Sequence, residues 1–326
     1  MKRRGETTFH VNDRTDRQTL AAALRHWMPG KSWGDVRGLI EGRRVQLNGN
    51  LCVDSARRLT KNDVVKLVAV PFAPTPEADQ LRIRYLDEHI VVVEKPAGVT
   101  TVRHPEERFW SADRKQVQPT LDEMLPRAIQ KEEGARHVGP RFPRVRPVHR
   151  LDRDTSGLMI FARTVSAERN LVVLFKKHTI HRLYRALVVG ELTEPVTYDT
   201  TLVRDRGDGR RGSAKHPNEA GKRAVTHVKP LERRNGYTLV ECKLETGRTH
   251  QIRIHLAEAG HPVCGEKVYQ KPAGDRRASA EDLSNAPRIM LHAAELGLAH
   301  PITDAPLRFV MPTPADMIAV WERLRR

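Results

Sequence analysis

The chain has 326 residues, 39% of them hydrophobic, with 57 Lys+Arg against 40 Asp+Glu and a formal net charge of +17. That length predicts one large domain with a small companion and a sizeable core, and charge spread along the chain predicts a polyanionic partner, nucleic acid or an anionic surface. No run of about 18 apolar residues exists to span a bilayer, and Met1 to His10 lacks the apolar core of a signal peptide, so a cytoplasmic protein without a membrane segment is expected.

After a polar start, Thr19 to Met28 reads as a helix with Leu20, Ala23, Leu24 and Trp27 on one side, ended by Pro29-Gly30. Ser32 caps a second helix carrying Val36, Leu39 and Ile40 and stopping at Gly42. Arg43 to Val53, with Asn48-Gly49 at its centre, is a hairpin signal, and Lys61-Asn62-Asp63 turns into a strand from Val64 to Val70. Pro71 to Gln80 reads as a linker. Leu81 to Tyr85 and Ile90 to Glu94 are short strands closed by Lys95-Pro96-Ala97-Gly98. Arg103 to Arg146 reads as a mobile basic excursion over a binding surface, with one helix from Thr120 to Gln130. Gly157 to Arg163 is a strand, Ser166 caps a helix through Leu174, and Arg182 to Gly190 is the next strand. A basic, glycine-rich flexible loop is expected from Arg204 to Lys222, then paired strands from Ala224 to Pro230 and Tyr237 to Leu244. A helix from His250 to Ala259 buries Ile252, Leu256 and Ala259, and a last helix runs from Pro314 to Leu324.

The chemistry on offer is sparse. Asp152 lies among arginines and a histidine in His149-Arg150-Leu151-Asp152-Arg153-Asp154-Thr155-Ser156-Gly157, Tyr184 lies in a strand, and Arg248 stands at the head of a helix. There is no phosphate-cradling glycine loop with its lysine and no Gly-x-Ser-x-Gly elbow. The three cysteines form no Cys-x-x-Cys pair, and the five-residue spacing of His250 and His255 does not set two ligands on one helical face, so no metal site is expected. A single carboxylate kept ionised by an arginine can act as nucleophile or base.

Two resemblances sharpen this reading. Asp35 to Ile40 followed by Gly42 to Gly49 resembles the S4 RNA-binding domain over residues 15–70, which implies contact with structured RNA through Arg37, Arg43 and Arg44. His149 to Leu158 strongly resembles the signature of the RluA-type pseudouridine synthases. Arg182 to Val188, Gly247 to Arg253, Leu291 to Ala293 with His300-Pro301, and Lys95 to Gly98 are similar to further family segments in the right order. The resemblance implies an α+β architecture, with an S4-like domain at 15–70, a linker at 71–80 and a catalytic domain at 81–326 whose mixed, largely antiparallel sheet is flanked by helices and loops.

It also implies isomerisation of uridine in structured RNA, large-subunit ribosomal RNA above all, by a monomer that uses no metal or cofactor. Asp152 would be the catalytic carboxylate, Arg248 its ion-pair partner, Tyr184 the ring against the target uracil, and Arg150 the side chain that fills the gap left by a flipped base. Asp154, Thr155 and Ser156 read as loop-fixing residues, and His149, His250 and His292 as structural. Arg182 stands where the family often has lysine, and residues 99–146 match the family least. Two other readings stand beside it: a catalytically silent RNA-binding assembly factor on the same fold, and a nucleoside or glycoside hydrolase, which would need two carboxylates flanking a bond.

Overall fold

The computed structural model describes residues 7–48, 50–61, 63–69, 71, 78–104, 107, 109–110, 112–134, 143–205, 210–216, 218–269 and 281–325. They form two compact units, the first drawn from Met1–Pro76 and Arg103–Pro119, the second from Glu77–Val102 and Thr120–Arg326.

In the first unit, the Thr19 side chain accepts the Ala22 N–H and starts α1 (Leu20–Trp27), and Ser32 with Asp35 closes a capping box on α2 (Trp33–Glu41). Four strands, β1 (Thr7–His10), β2 (Val45–Leu47), β3 (Asn50–Leu51) and β4 (Val64–Leu67), form an antiparallel sheet in the order β1-β4-β2-β3. Leu20, Leu24, Val36, Ile40, Val45 and Val65 make the core between helices and sheet. Asn48 turns the hairpin at φ 51, the left-handed region that the Asn-Gly signal requires. The sequence reading missed β1, whose two threonines hide its pattern; its Phe9 stacks on Trp27 with centroids 4.9 Å apart.

The expected excursion divides. The helix α3 (Ala112–Val117) and its flanks belong to the first unit, where Arg103 donates to the Gln118 carbonyl and Gln118 to that of Leu51. The helix α4 (Leu121–Glu133) instead buries Leu121, Met124, Leu125 and Ile129 in the core of the second unit. Of the expected linker, residues 72–77 lie outside the described residues, and Ala78–Gln80 form a 3-10 turn.

Eleven strands make the sheet of the second unit among the described residues: β5 (Arg82–Leu86), β6 (Ile90–Lys95), β7 (Arg146–Pro147), β8 (Ser156–Ala162), β9 (His181–Val189), β10 (Val196–Val203), β11 (Gly212–Ser213), β12 (Lys222–Arg234), β13 (Tyr237–Leu244), β14 (Leu291–Ala299) and β15 (Pro306–Val310). Their order is β11-β10-β12-β13-β9-β14-β8-β6-β5, with β15 on β14 and β7 on β8. Only the β14–β8 pairing is parallel among those described. The mixed, largely antiparallel sheet is the one expected.

The central strands β6 and β8 are apolar without alternation because both of their faces are covered. Val91, Val93, Met159 and Phe161 join α4 and α7 (Ala315–Arg323) in one core. Ile90, Val92, Leu158 and Ile160 face α5 (Val165–Lys176) in another. That helix begins two residues earlier than expected: Thr164 is its cap, accepting the Ala167 N–H, and Ser166 is not. The expected flexible loop from 204 to 222 contains β11, and Ser213 donates its N–H and hydroxyl to Glu258, fixing the middle of that stretch to the sheet and helix beside it.

The parallel junction fixes the segment that carries Asp152. Gly157 has φ 124, and a Cβ there would lie 2.3 Å from the Ala293 carbonyl oxygen, so only glycine lets β8 approach β14 this closely. Ser156 and His292, paired in register, join their side chains at 2.9 Å. Gly157→Ala is therefore expected to cost about 2–4 kcal/mol from backbone strain and overpacking together; urea unfolding monitored by circular dichroism measures it.

Candidate active site

Asp152 sits in the loop between β7 and β8, and that loop is bound on every side. Thr101 and Leu151 exchange hydrogen bonds, the Thr101 hydroxyl donating to the Leu151 carbonyl at 2.9 Å and accepting its N–H at 3.2 Å. The Arg153 carbonyl accepts the Gly98 N–H at 2.8 Å, and the Arg153 Nε donates back to the Gly98 carbonyl at 3.0 Å. Lys95, fully buried, donates from Nζ to the carbonyls of Pro96, Val99 and Arg153 at 2.9, 2.7 and 2.9 Å. Burial pushes its pKa down to about 7, while three carbonyl acceptors favour the ammonium form. On the far side Arg288, held by both oxygens of Asp316, reaches the Asp154 carbonyl at 3.3 Å. The Lys95 to Gly98 turn thus serves as the buckle of the loop.

The pocket over this loop is lined by Arg150, Asp152, Thr155, Tyr184, Leu244, Arg248, His250, Gln251, Arg253 and Leu291 among others. Sequence reasoning named Asp152, Tyr184, Arg150 and Arg248 for the site, and the fold brings all four to this one pocket from three separate segments.

The ion pair is made by Arg253 and not, as the resemblance implies, by Arg248. Arg253 Nη1 lies 2.9 Å from Asp152 Oδ2, whereas the Arg248 Nε donates to the Arg223 carbonyl at 3.0 Å. The reason is local geometry. Arg248 precedes α6 (Gln251–Glu258), and its own N–H donates to the Gln251 side chain. Arg253 lies inside the helix, every residue of which except Glu258 is buried. The expected one-sided burial through Ile252, Leu256 and Ala259 therefore understated the helix, and it erred at Ala259, which caps the helix and is exposed. A buried arginine between Ile252 and Ile254 demands a buried anion, and that was the legible signal for Arg253.

The other Asp152 oxygen faces His250. His250 has φ 59 at the helix cap, its Nε2 lies 3.6 Å from Asp152 Oδ1, and its Nδ1 is 2.6 Å from the Tyr269 hydroxyl. A histidine expected to be structural is thus part of the pocket. Burial raises the Tyr269 pKa to about 12, so the phenol keeps its proton and can donate to Nδ1. That tautomer leaves the Nε2 proton toward Asp152. Burial also lowers the His250 pKa below the usual imidazole range, against the pull of Asp152, so at neutral pH the imidazole is uncharged.

Burial would raise the Asp152 pKa, but charge on His250 and Arg253, the Arg253 hydrogen bond and Arg150 together hold it below the usual carboxylate range. With His250 neutral above its own pKa, Arg253 and Arg150 are the standing cations of that set, and Arg253 is the one bonded to Asp152. Tyr184 is buried; burial raises its pKa, the Arg182 charge opposes this, and Asp152 adds to it, so the ring meets the pocket as a neutral phenol.

Other expectations resolve in the same geometry. His149 accepts the Ile160 N–H at 3.1 Å and stacks on Phe175, and burial takes its pKa to about 3. The Thr155 N–H donates to the Asp152 carbonyl, closing the turn, but its buried hydroxyl lines the pocket with no hydrogen-bond partner among the described residues. In the first unit Arg37 is exposed, Arg43 is half-buried at φ 59, and the half-buried Arg44 donates to the Ala69 carbonyl at 2.9 Å. No helix among the described residues is long and apolar enough to cross a membrane.

Comparison with known proteins places this geometry. Residues 89–258, which hold Asp152, Tyr184 and Arg253, match the RNA pseudouridylate synthase family model. The chain is 35% identical over 311 residues to the ribosomal large subunit pseudouridine synthase D of Xylella fastidiosa, covering 93% of this chain and 88% of that protein. It is 33% identical over 332 residues to the protein of the same name from Escherichia coli, covering 100% and 96%. Among solved structures, human RNA pseudouridylate synthase domain containing 1 superposes with a TM-score of 0.55 at 26% identity, over 74% of this chain and 87% of that one. The extent of these matches means that the chain belongs to the RluA-type RNA pseudouridylate synthases, enzymes that isomerise uridine in RNA to pseudouridine.

Proposed function

We propose that this synthase acts on large-subunit ribosomal RNA, with Asp152 as its catalytic carboxylate, Arg253 as the cation that keeps it charged, and Tyr184 as the ring against the target uracil. The observation that carries this is the Asp152–Arg253 pair at 2.9 Å in a pocket that also holds Tyr184. The substrate follows from relatives named for the large ribosomal subunit. The first unit, with α1, α2, a four-stranded sheet and exposed Arg37, is read as an S4-like module that grips structured RNA.

A target uridine must leave its helix or loop to reach a carboxylate at the bottom of a pocket, which costs a few kcal/mol, least where the RNA is already single-stranded. Arg150 is exposed at the pocket and is placed to fill the gap in the RNA. With the base inside, the N1–C1′ bond breaks, the uracil turns while held against Tyr184, and C5 joins C1′. The C5 proton then leaves and N1 takes one up, so the product is an isomer. Buried walls keep water from C1′, where it would leave an abasic site. Arg248 sits at the pocket without a carboxylate to neutralise among the described residues and is read as a contact to RNA.

Asp152→Asn is expected to abolish pseudouridine formation on ribosomal RNA while RNA binding survives, as mapped by carbodiimide adducts on RNA from cells carrying only the variant; a cellular defect rescued by that variant would favour the silent assembly factor instead, and free uracil release would mark a hydrolase. Arg253→Lys, which keeps charge but not the fork, should lower turnover roughly a hundred-fold. Arg248→Ala should act mainly on KM, by less than about tenfold in turnover. Affinity for RNA should fall with salt with a log–log slope near 0.7 per neutralised phosphate on single strands, read by filter binding from low to high potassium chloride; a flat response would mean that the positive surface is not used on RNA.

A further inference from the structure

Arg253 serves two carboxylates, and the second lies outside the segment that matches the family model. Glu266 takes the side of the guanidinium that Asp152 does not: its Oε2 accepts from Arg253 Nε at 2.7 Å and its Oε1 from Nη2 at 2.9 Å. That side-on pairing leaves Nη1 for Asp152. The Arg253 Cζ also lies 5.3 Å from the centre of the Tyr269 ring, so the plane of the fork is fixed by a carboxylate at its edge and an aromatic ring at its face.

Glu266 is itself held. Its Oε1 accepts the backbone N–H groups of Lys267, Val268 and Tyr269 at 2.9, 2.8 and 3.3 Å, and its side chain is 1% exposed. The segment before it is stitched to β9, the strand of Tyr184: Cys264 donates to the Leu187 carbonyl at 2.8 Å, and Val263 bridges to Val188. Gly265, at φ 82, lies so close to Arg288 that a Cβ would be 2.0 Å from its carbonyl oxygen. The carboxylate that orients Arg253 therefore takes its own position from the central sheet.

We propose that Glu266 is a positioning residue of the synthase, which sets Arg253 in the one orientation that pairs Nη1 with Asp152, Tyr269 backing the same guanidinium. This rests on the reading of Asp152 as the catalytic carboxylate. Charge alone would do the opposite of what positioning does. A second anion on Arg253 dilutes the positive potential at Asp152, so an electrostatic Glu266 raises the Asp152 pKa and a positioning Glu266 lowers it. The groups facing Asp152 are Arg150 on its own loop, Tyr184 on β9, and His250 and Arg253 at α6, with the ammonium of Lys95 at the end of β6 and the Tyr269 phenol also interacting with it. Arg253 is bonded to Glu266, and the Glu266 charge also acts on His250, favouring its protonated form.

The test uses the full chain labelled with ¹³C at aspartate carboxyls, the Asp152 signal being assigned from its loss in Asp152→Asn. Glu266→Asp keeps the charge and withdraws it by one methylene, so only position changes. The Asp152 carboxyl should then titrate about one pH unit or more higher than in the wild type, and Glu266→Gln should shift it in the same direction. An unchanged or lower value in Glu266→Asp overturns the proposal, as does a lower value in Glu266→Gln. Turnover on ribosomal RNA is the second readout: both variants should lose roughly tenfold or more in kcat with little change in KM, and the acid limb of the pH profile should move up with the carboxyl. Equal kcat at the plateau would also overturn it. If the wild type proves inactive on RNA, the functional reading fails, and the titration still decides what Glu266 does to Asp152.

Discussion

Asp152 must stay charged in a place from which most of its water has been removed, and one guanidinium makes that possible. A carboxylate at the bottom of a pocket would gain its proton from burial alone. Arg253 prevents this at 2.9 Å, but a buried arginine is itself costly, and Glu266 offsets that cost with a second, fully buried carboxylate. The unit is therefore a chain of three charges, Asp152, Arg253 and Glu266, whose outer member rests on backbone N–H groups and whose inner member meets the pocket. Removing either outer carboxylate leaves the arginine with half of its partners.

Such a chain works only if its ends cannot drift, and the fold supplies the two anchors from opposite directions. Asp152 is held through the backbone of its loop by Lys95, Gly98, Thr101 and Arg288, so its carbonyls and amides are engaged while its side chain is left to the pocket. Glu266 is held through a segment pinned to β9. Between them α6 is buried nearly all round, which stops Arg253 from swinging out to solvent. The parallel contact of β8 and β14, closed by Gly157, brings the loop of Asp152 beside the strand that neighbours Tyr184. Rigidity of the supporting elements is what a preorganised site needs.

Local pattern carried much of this fold. The helix starting near Thr19, the helix capped by Ser32, the Asn48 hairpin, and the apolar runs of β6 and β8 were legible because each depends on neighbours in sequence. What was not legible depends on partners far away. Leu291 to Ala299, rich in alanine and leucine, has no strand signature, and it is a strand because β9 and β8 flank it. The short β11 exists through its pairing with β10 and the Ser213–Glu258 bonds. The site shows the same division. Asp152 and Tyr184 stood out by their motifs, yet Arg248 and Arg253 are only five residues apart, and nothing short of the helix start separates the cation at the pocket edge from the one inside.

That separation also explains how the positive charge is used. An arginine whose side chain is 6% exposed, locked between two carboxylates, cannot meet a phosphate, so Arg253 adds nothing to the attraction of RNA. Other partly buried arginines of the second unit are neutralised in the same way, Arg288 by Asp316, Arg163 by Glu133 and Arg146 by Glu168. Each such pair removes one positive and one negative charge from the balance and leaves the excess of +17 untouched. The excess must therefore reside on groups nearer the surface, among them Arg37 and Arg150, where it can act on a polyanion at a distance. Arg253 holds the carboxylate from inside; on the proposed reading, the surface arginines are what draws the RNA.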